Sequence, residues 1–233
     1  MAKRGSLLGS SIGRKALMAI TGTMLCCFLV LHLLGNIVLL LDDDGSLTLS
    51  PGGPHSSEFF QWVAEHYEAV PLLFHTGELM LLALFGTHAA LGVTLWWQNR
   101  KARGPRGYVR QGSEGGRTLA SATMPYTGVL FIGAFIVAHL INFRFGEQSN
   151  PAELYDLVVT TLSSWLWAAV YLAALLGLFL HLSHGAQSLF QSLGLNHTRH
   201  TPRVKAAGTL FAILIASGFA IIPILLIANG GGR

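Results

Sequence analysis

Five stretches of this chain, at about 16–41, 71–97, 121–143, 162–190 and 206–228, run for twenty residues or more with almost no charge. A helix needs ~20 mostly apolar residues to cross the hydrocarbon core of a bilayer. Strands of a membrane barrel instead alternate polar and apolar residues over about ten positions, and these runs do not alternate. The pattern predicts an all-α integral membrane protein with five transmembrane helices in a single transmembrane domain, residues 1–233. Charged residues make up 11% of the chain, against ~25% in soluble domains. The first run is longer than the ~7–15 residue apolar core of a signal peptide and ends in Leu39-Leu40-Leu41-Asp42 without a small-residue cleavage pattern, so it reads as a span. Cys26 and Cys27 are adjacent within it and no CxxC spacing exists, which makes them small core or lipid-facing residues.

The charges orient the spans. Lys3, Arg4, Arg14 and Lys15, the six cations Arg100, Lys101, Arg103, Arg106, Arg110 and Arg117, and then Arg199, Arg203 and Lys205 all fall on one side if every run crosses. The other side holds Arg144 and Arg233 as its cations and receives nine carboxylates, Asp42 to Asp44, Glu58, Glu65, Glu68, Glu147, Glu153 and Asp156. The positive-inside rule then puts the N-terminus in the cytoplasm and the C-terminus outside. The net charge of +4 is accordingly a cytoplasmic collar rather than a nucleic-acid surface.

Between the spans, loop 42–70 is long and carries Pro51-Gly-Gly-Pro54, after which Phe59, Trp62, Val63 and His66 stand at helical spacing, as in a short interfacial helix. In "SNPAELYDLVV", Ser149 or Asn150 is placed as an N-cap with Pro151 at the first helical position, leading into the fourth span. Loop 98–120 is rich in Arg and Gly, a cytoplasmic connector able to meet a partner. No internal repeat and no nucleotide-binding or hydrolase motif emerges.

Of ten histidines, His55, His66, His197 and His200 fall in loops, and six, His32, His75, His88, His139, His181 and His184, lie inside spans. Ionisable residues at that depth are rare and usually functional; a single one can also be an interhelical hydrogen bond. At 1.5 Å per residue, His32 lies ~5 Å and His139 ~10 Å to the outer side of their helix midpoints, whereas His88 lies ~6 Å and His181 ~9 Å to the inner side. Two histidine pairs on different helices, roughly 15 Å apart in depth, suit haem b. That macrocycle takes an axial imidazole on each face and sits in an apolar slot between helices. Two axial histidines close the iron to oxygen and reserve it for electron transfer, and the absence of CxxCH excludes covalent attachment. Zinc would instead need three or four ligands at one depth; His181 and His184, three residues apart, leave that open at one place. His184 otherwise caps the inner haem edge or a propionate. His75 rivals His139 or His32 as an outer ligand, or lines an outer pocket with Glu78 and Glu68. Gly35 is a possible close-packing point beside His32.

The segments "SSIGRKALMAITG" and "LHLLGN" in the first run, "THAALGVTLWWQNR" closing the second, "AHLINFRFG" closing the third and "LFLHLSHGAQSLFQSLG" closing the fourth resemble the di-haem cytochrome b membrane anchor of succinate dehydrogenases and fumarate reductases. The resemblance runs from Ser10 to about Ile227. It implies a haem-binding four-helix bundle plus a fifth helix, with His32 and His139 axial to the outer, distal haem and His88 and His181 axial to the inner, proximal one. It implies two haem b groups, a flavoprotein subunit and an iron–sulfur subunit docked on the cytoplasmic face, menaquinone as the usual quinone, and a bacterial cytoplasmic membrane. Electrons would pass from flavin through iron–sulfur clusters, inner haem and outer haem to quinone, or in reverse.

Quinone chemistry also moves protons, and Glu68, Glu65 and Glu78 stand near the outer haem, although Glu65 and Glu68 also read as solvated loop charges. Ser10 or Ser11 with Arg14 resembles the serine and arginine that bind quinone in anchors reacting on the cytoplasmic side. The simpler reading is that Ser10 caps the first helix and Arg14 marks the inner boundary. Two other functions fit membrane histidines: a haem b anchor of another dehydrogenase, such as hydrogenase or formate dehydrogenase, and a histidine-lined metal or proton transporter.

Overall fold

A computed structural model describes residues 9–41, 62, 65–66, 71–104, 118–146, 151–195, 197 and 199–229. Among them every regular element is a helix: α1 (Ser11–Ile37), α2 (Pro71–Arg103), α3 (Leu119–Phe143), α4 (Pro151–Ser163), α5 (Trp165–Ser192) and α6 (Thr201–Ala228). All except α4 are long and apolar enough to cross a membrane, so the chain is a multi-pass membrane protein. Their beginnings and ends fall within a few residues of the five apolar runs.

Local chemistry sets the ends. Ser10 is extended and its hydroxyl accepts the Gly13 N–H at 2.9 Å, satisfying one of the donors that every helix start leaves open. At the head of α3, Thr118 and Ser121 exchange side-chain-to-backbone hydrogen bonds in a reciprocal capping box. α5 closes at Gly194, whose φ of +75° only glycine adopts without strain. There Leu195 N–H bonds the Phe190 carbonyl and Gly194 N–H the Gln191 carbonyl, the two bonds of a Schellman end. The third span is not regular: Pro125 removes a donor, and Thr127–Gly133 follows as a π-helical turn before α-helix resumes at Ala134.

The segment after residue 150 departs from expectation. Pro151 does open a helix, but that helix does not lead into the fourth span. Ser164 is extended (φ −73°, ψ 128°) and α5 starts afresh at Trp165 rather than near 162. The reason is packing: Tyr155, Val158 and Leu162 recur along one face of α4 and are buried with Leu39, Leu40, Tyr171, Ile222 and Leu226. This cluster closes the end of the bundle where α1 and α6 finish.

Within the spans α5 is central, touching α1, α3, α4 and α6, whereas α2 leans chiefly on α1. The seams are made of small residues. A Cβ on Gly177 would lie 2.7 Å from Phe131 of α3, and one on Gly218 2.7 Å from Leu33 of α1. Such close approach is how helices associate where lipid supplies no hydrophobic drive. Gly35, expected at such a seam, has nothing within 4 Å of an added Cβ; α1 meets α6 at Gly218 instead. Cys26 is half-buried and Cys27 exposed, both free thiols. Helices α1, α2, α3 and α5 carry the span histidines, while α6 carries none. The end at which α1 begins is the basic end and the other is the acidic end. The proposed interfacial helix around residues 59–66 lies largely outside the described residues; Trp62, Glu65 and His66 are helical, with His66 Nδ1 donating to the Trp62 carbonyl at 2.7 Å.

Candidate functional site

The bundle brings the span histidines together as two pairs. His32 of α1 faces His139 of α3 with ring centres 5.8 Å apart and planes at 89°. His88 of α2 faces His181 of α5 with centres 6.3 Å apart and planes at 70°. Gly22 packs against His88, and His32 follows Gly22 by ten residues on the same helix, so the pairs lie ~15 Å apart along α1. The structure thus brings His32 beside His139 and His88 beside His181.

The spacing matters because an imidazole binds metal through one nitrogen. A metal–nitrogen bond of about 2 Å, plus ~1 Å from nitrogen to ring centre, puts two rings across one ion about 6 Å apart. Both pairs stand at that distance. Among the described residues no three of His, Cys, Asp and Glu converge, so the donor sets are pairs, as a flat macrocycle needs and a zinc site does not.

The hydrogen bonds decide which ring nitrogen is available. Thr21 Oγ1 donates its single proton to the Leu17 carbonyl at 2.9 Å or the Met18 carbonyl at 3.1 Å. It therefore accepts from His88 Nδ1 at 3.1 Å, which keeps the proton on Nδ1 and leaves the Nε2 lone pair for a metal. At the acidic end His139 Nδ1 lies 3.3 Å from the hydroxyl of buried Tyr171, which also meets Asn142. Where that hydroxyl oxygen accepts from Nδ1, His139 Nε2 is freed in the same way. Aromatic rings enclose this pair: Phe28 stacks on His32 at 5.2 Å, Phe219 tilts against it at 5.6 Å, and Phe135 and Phe143 flank His139 at 5.5 and 5.2 Å. The surroundings are apolar, as a haem edge requires. Residues present thus fit two bis-imidazole haems.

The other expected residues divide. Ser10 spends its hydroxyl on the Gly13 N–H, as the simpler capping reading has it. Arg14 is half-buried one turn further in, and His184 is half-buried one turn beyond His181. His75 is exposed and not beside either pair; its Nδ1 lies 3.3 Å from Glu78 Oε2. Glu78 is also bound by both Nε and Nη2 of Arg144, the latter at 3.2 Å, so that α2 and the end of α3 are joined. The Glu78 carboxylate raises the Arg144 guanidinium further above its usual value, and the cation persists at any physiological pH. Glu68 lies outside the described residues, and Glu65 is exposed.

Sequence reasoning passed over Arg144 as a site residue, although a cation directly at the end of an outward-running span, among carboxylates, was its signal. It also passed over Tyr171 and Thr21, polar groups set in apolar runs. Thr21 and Thr127 are the buried polar residues among those described, 5% and 3% exposed.

Residues 110–220 match the family model described as succinate dehydrogenase/fumarate reductase transmembrane subunit. Comparison with curated proteins and with solved structures found no match.

Proposed function

We propose that the chain, whose residues 110–220 match the succinate dehydrogenase/fumarate reductase transmembrane subunit family, is a di-haem anchor of that kind, carrying electrons between an iron–sulfur subunit and membrane quinone. The observation that carries this reading is the pairing of His32 with His139 and of His88 with His181 at two levels of the bundle. When bound, bis-imidazole haem supplies one-electron transfer at an iron closed to oxygen. The protein's part is to hold and orient. His32, His139, His88 and His181 present Nε2, Tyr171 and Thr21 retain the Nδ1 protons, and the phenylalanines exclude water at the acidic-end pair.

Quinone reduction takes up protons. The His75–Glu78–Arg144 cluster stands at the acidic end of α2 and α3. Exposed His75, held through Nδ1 by the Glu78 carboxylate that Arg144 fixes, would pass a proton to a quinone oxygen and regain it from solvent. Glu68 would belong to the same pocket. Ser10, Arg14 and His184 would border the basic-end haem, where Arg14 suits a propionate. Menaquinone is the quinone we assign. The positive-inside rule places the basic end in the cytoplasm of a bacterial cell, the C-terminus outside, and the docking face for the flavoprotein and iron–sulfur subunits among the cationic loops.

Affinity isolation of the tagged chain from its native membrane, followed by assay with succinate and a menaquinone analogue, tests the assignment. Co-isolation of a flavoprotein and an iron–sulfur protein with succinate-dependent quinone reduction, or the reverse reaction with fumarate, is expected. Co-isolation of a hydrogenase or formate dehydrogenase module instead would overturn it, as would isolation of a haem-free metal or proton carrier.

A further inference from the structure

The residues behind the two basic-end histidines repeat. On α1, Met18-Ala-Ile-Thr21-Gly22 packs against His88; on α3, Met124-Pro-Tyr-Thr127-Gly128 packs against His181. In both, the threonine is buried and its hydroxyl donates to the carbonyls three and four residues back: Met18 and Leu17 from Thr21, Met124 and Thr123 from Thr127, the latter two at 3.2 Å. In both, the methionine carbonyl is the backbone acceptor that the facing histidine meets. In both, the glycine admits the ring. A Cβ on Gly22 would lie 3.1 Å from His88 Cε1, and one on Gly128 3.2 Å from His181 Cε1. Those distances are too short for an alanine to sit there unless the ring gives way.

The repeat extends along the helices. His32 follows Thr21 by eleven residues and His139 follows Thr127 by twelve. The π-helical turn Thr127–Gly133 lies inside the longer interval, and such a turn widens the helix by about one residue. The extra residue is thereby absorbed and His139 still meets His32. Each half of the protein contributes one clamp, one acidic-end histidine on the same helix and one basic-end histidine on the next helix it packs against.

We propose that Met-x-x-Thr-Gly, used once on α1 and once on α3, is a positioning clamp for the axial histidines of the basic-end haem: its glycine admits the ring in both copies and on α1 its threonine also accepts from Nδ1, so that Nε2 of His88 and His181 turn toward one iron. The inference rests on the di-haem reading and deepens it. The two copies are unequal. Thr21 itself accepts from His88 at 3.1 Å, whereas His181 Nδ1 is buried without a well-formed bond, the Met124 carbonyl lying alongside. An acceptor on Nδ1–H makes the imidazole a stronger donor to oxidised iron, so its loss raises the reduction potential.

The test is a redox titration with low-temperature electron paramagnetic resonance of the isolated complex carrying Thr21→Val, Thr21→Ser, Thr127→Val or Gly128→Ala. Thr21→Val is expected to keep two haems per chain and move one midpoint potential upward, leaving the other in place. Thr21→Ser restores the wild-type value, and Thr127→Val gives a smaller shift of the same haem. Gly128→Ala tilts the His181 ring and alters the low-spin signal of that haem alone. If the complex holds two haems and none of the variants moves a potential or a signal, the clamp is overturned while the di-haem reading stands. If the wild-type chain binds no haem, both fall.

Discussion

Replacing His139 with leucine lowers the haem b content from two to one per chain and abolishes succinate-dependent quinone reduction. The leucine fills a similar apolar volume among Phe135, Phe143 and Tyr171, so the helix packing persists while His32 faces no second imidazole. The retained haem keeps its potential, because His88 and His181 are held by other residues some three turns away along α1. Haem extraction and a reduced-minus-oxidised spectrum of the purified variant measure this. A companion His75→Leu retains both haems, since that ring is engaged with Glu78 and is not beside His32 or His139. Loss of a haem in His75→Leu with retention in His139→Leu would reverse the assignment of the acidic-end ligand.

Glu78→Gln separates quinone chemistry from haem binding. The carboxylate is held by Arg144 and His75 near the surface, where an ion pair contributes ~0–1 kcal/mol. Losing it is therefore not expected to unfold the bundle. Proton delivery is a larger matter, since a positioned acid or base typically contributes about 10²–10⁴ in rate. The variant should keep two haems and normal succinate oxidation with an artificial acceptor, while quinone reduction falls about 100-fold. Unchanged quinone turnover would move the proton pathway elsewhere, with Glu68 the next residue to replace.

Much of this architecture was open to reading before any coordinates, and the reason is physical. A bilayer forces its spanning segments to be helices of a set length, so residue number converts to depth at a fixed rise. That conversion paired His32 with His139 and His88 with His181 without any knowledge of side chains. Contacts that join distant segments by side-chain geometry were not readable in the same way. Glu78 and Arg144 lie 66 residues apart, and nothing along the chain says that a carboxylate on α2 meets the last turn of α3. The break at Ser164 was hidden because residues 151–190 read as one helical run, and only the burial of Tyr155, Val158 and Leu162 against α6 and Leu39 separates α4 from α5. Gly35 was misplaced because a glycine beside a functional histidine gives no sign of which way it faces.

The clamp shows a subtler limit. No internal repeat was apparent, since Met18-x-x-Thr21-Gly22 and Met124-x-x-Thr127-Gly128 share three identities within five residues. The helices that follow them differ in length by one residue before the next histidine. A π-helical turn hides that difference in space, so equivalence is plain in the packing and blurred in the string. Thr21 and Thr127, each returning a hydroxyl to its own helix, otherwise look like ordinary membrane threonines.

The central claim is that each chain carries two haem b groups between paired histidines, and the haem-to-protein ratio of the purified chain, read with its reduced-minus-oxidised spectrum, tests it most directly. The account predicts two low-spin b-type haems per chain that titrate at two separate potentials. A chain that purifies intact with its iron–sulfur partner and holds one haem, or none, would contradict it.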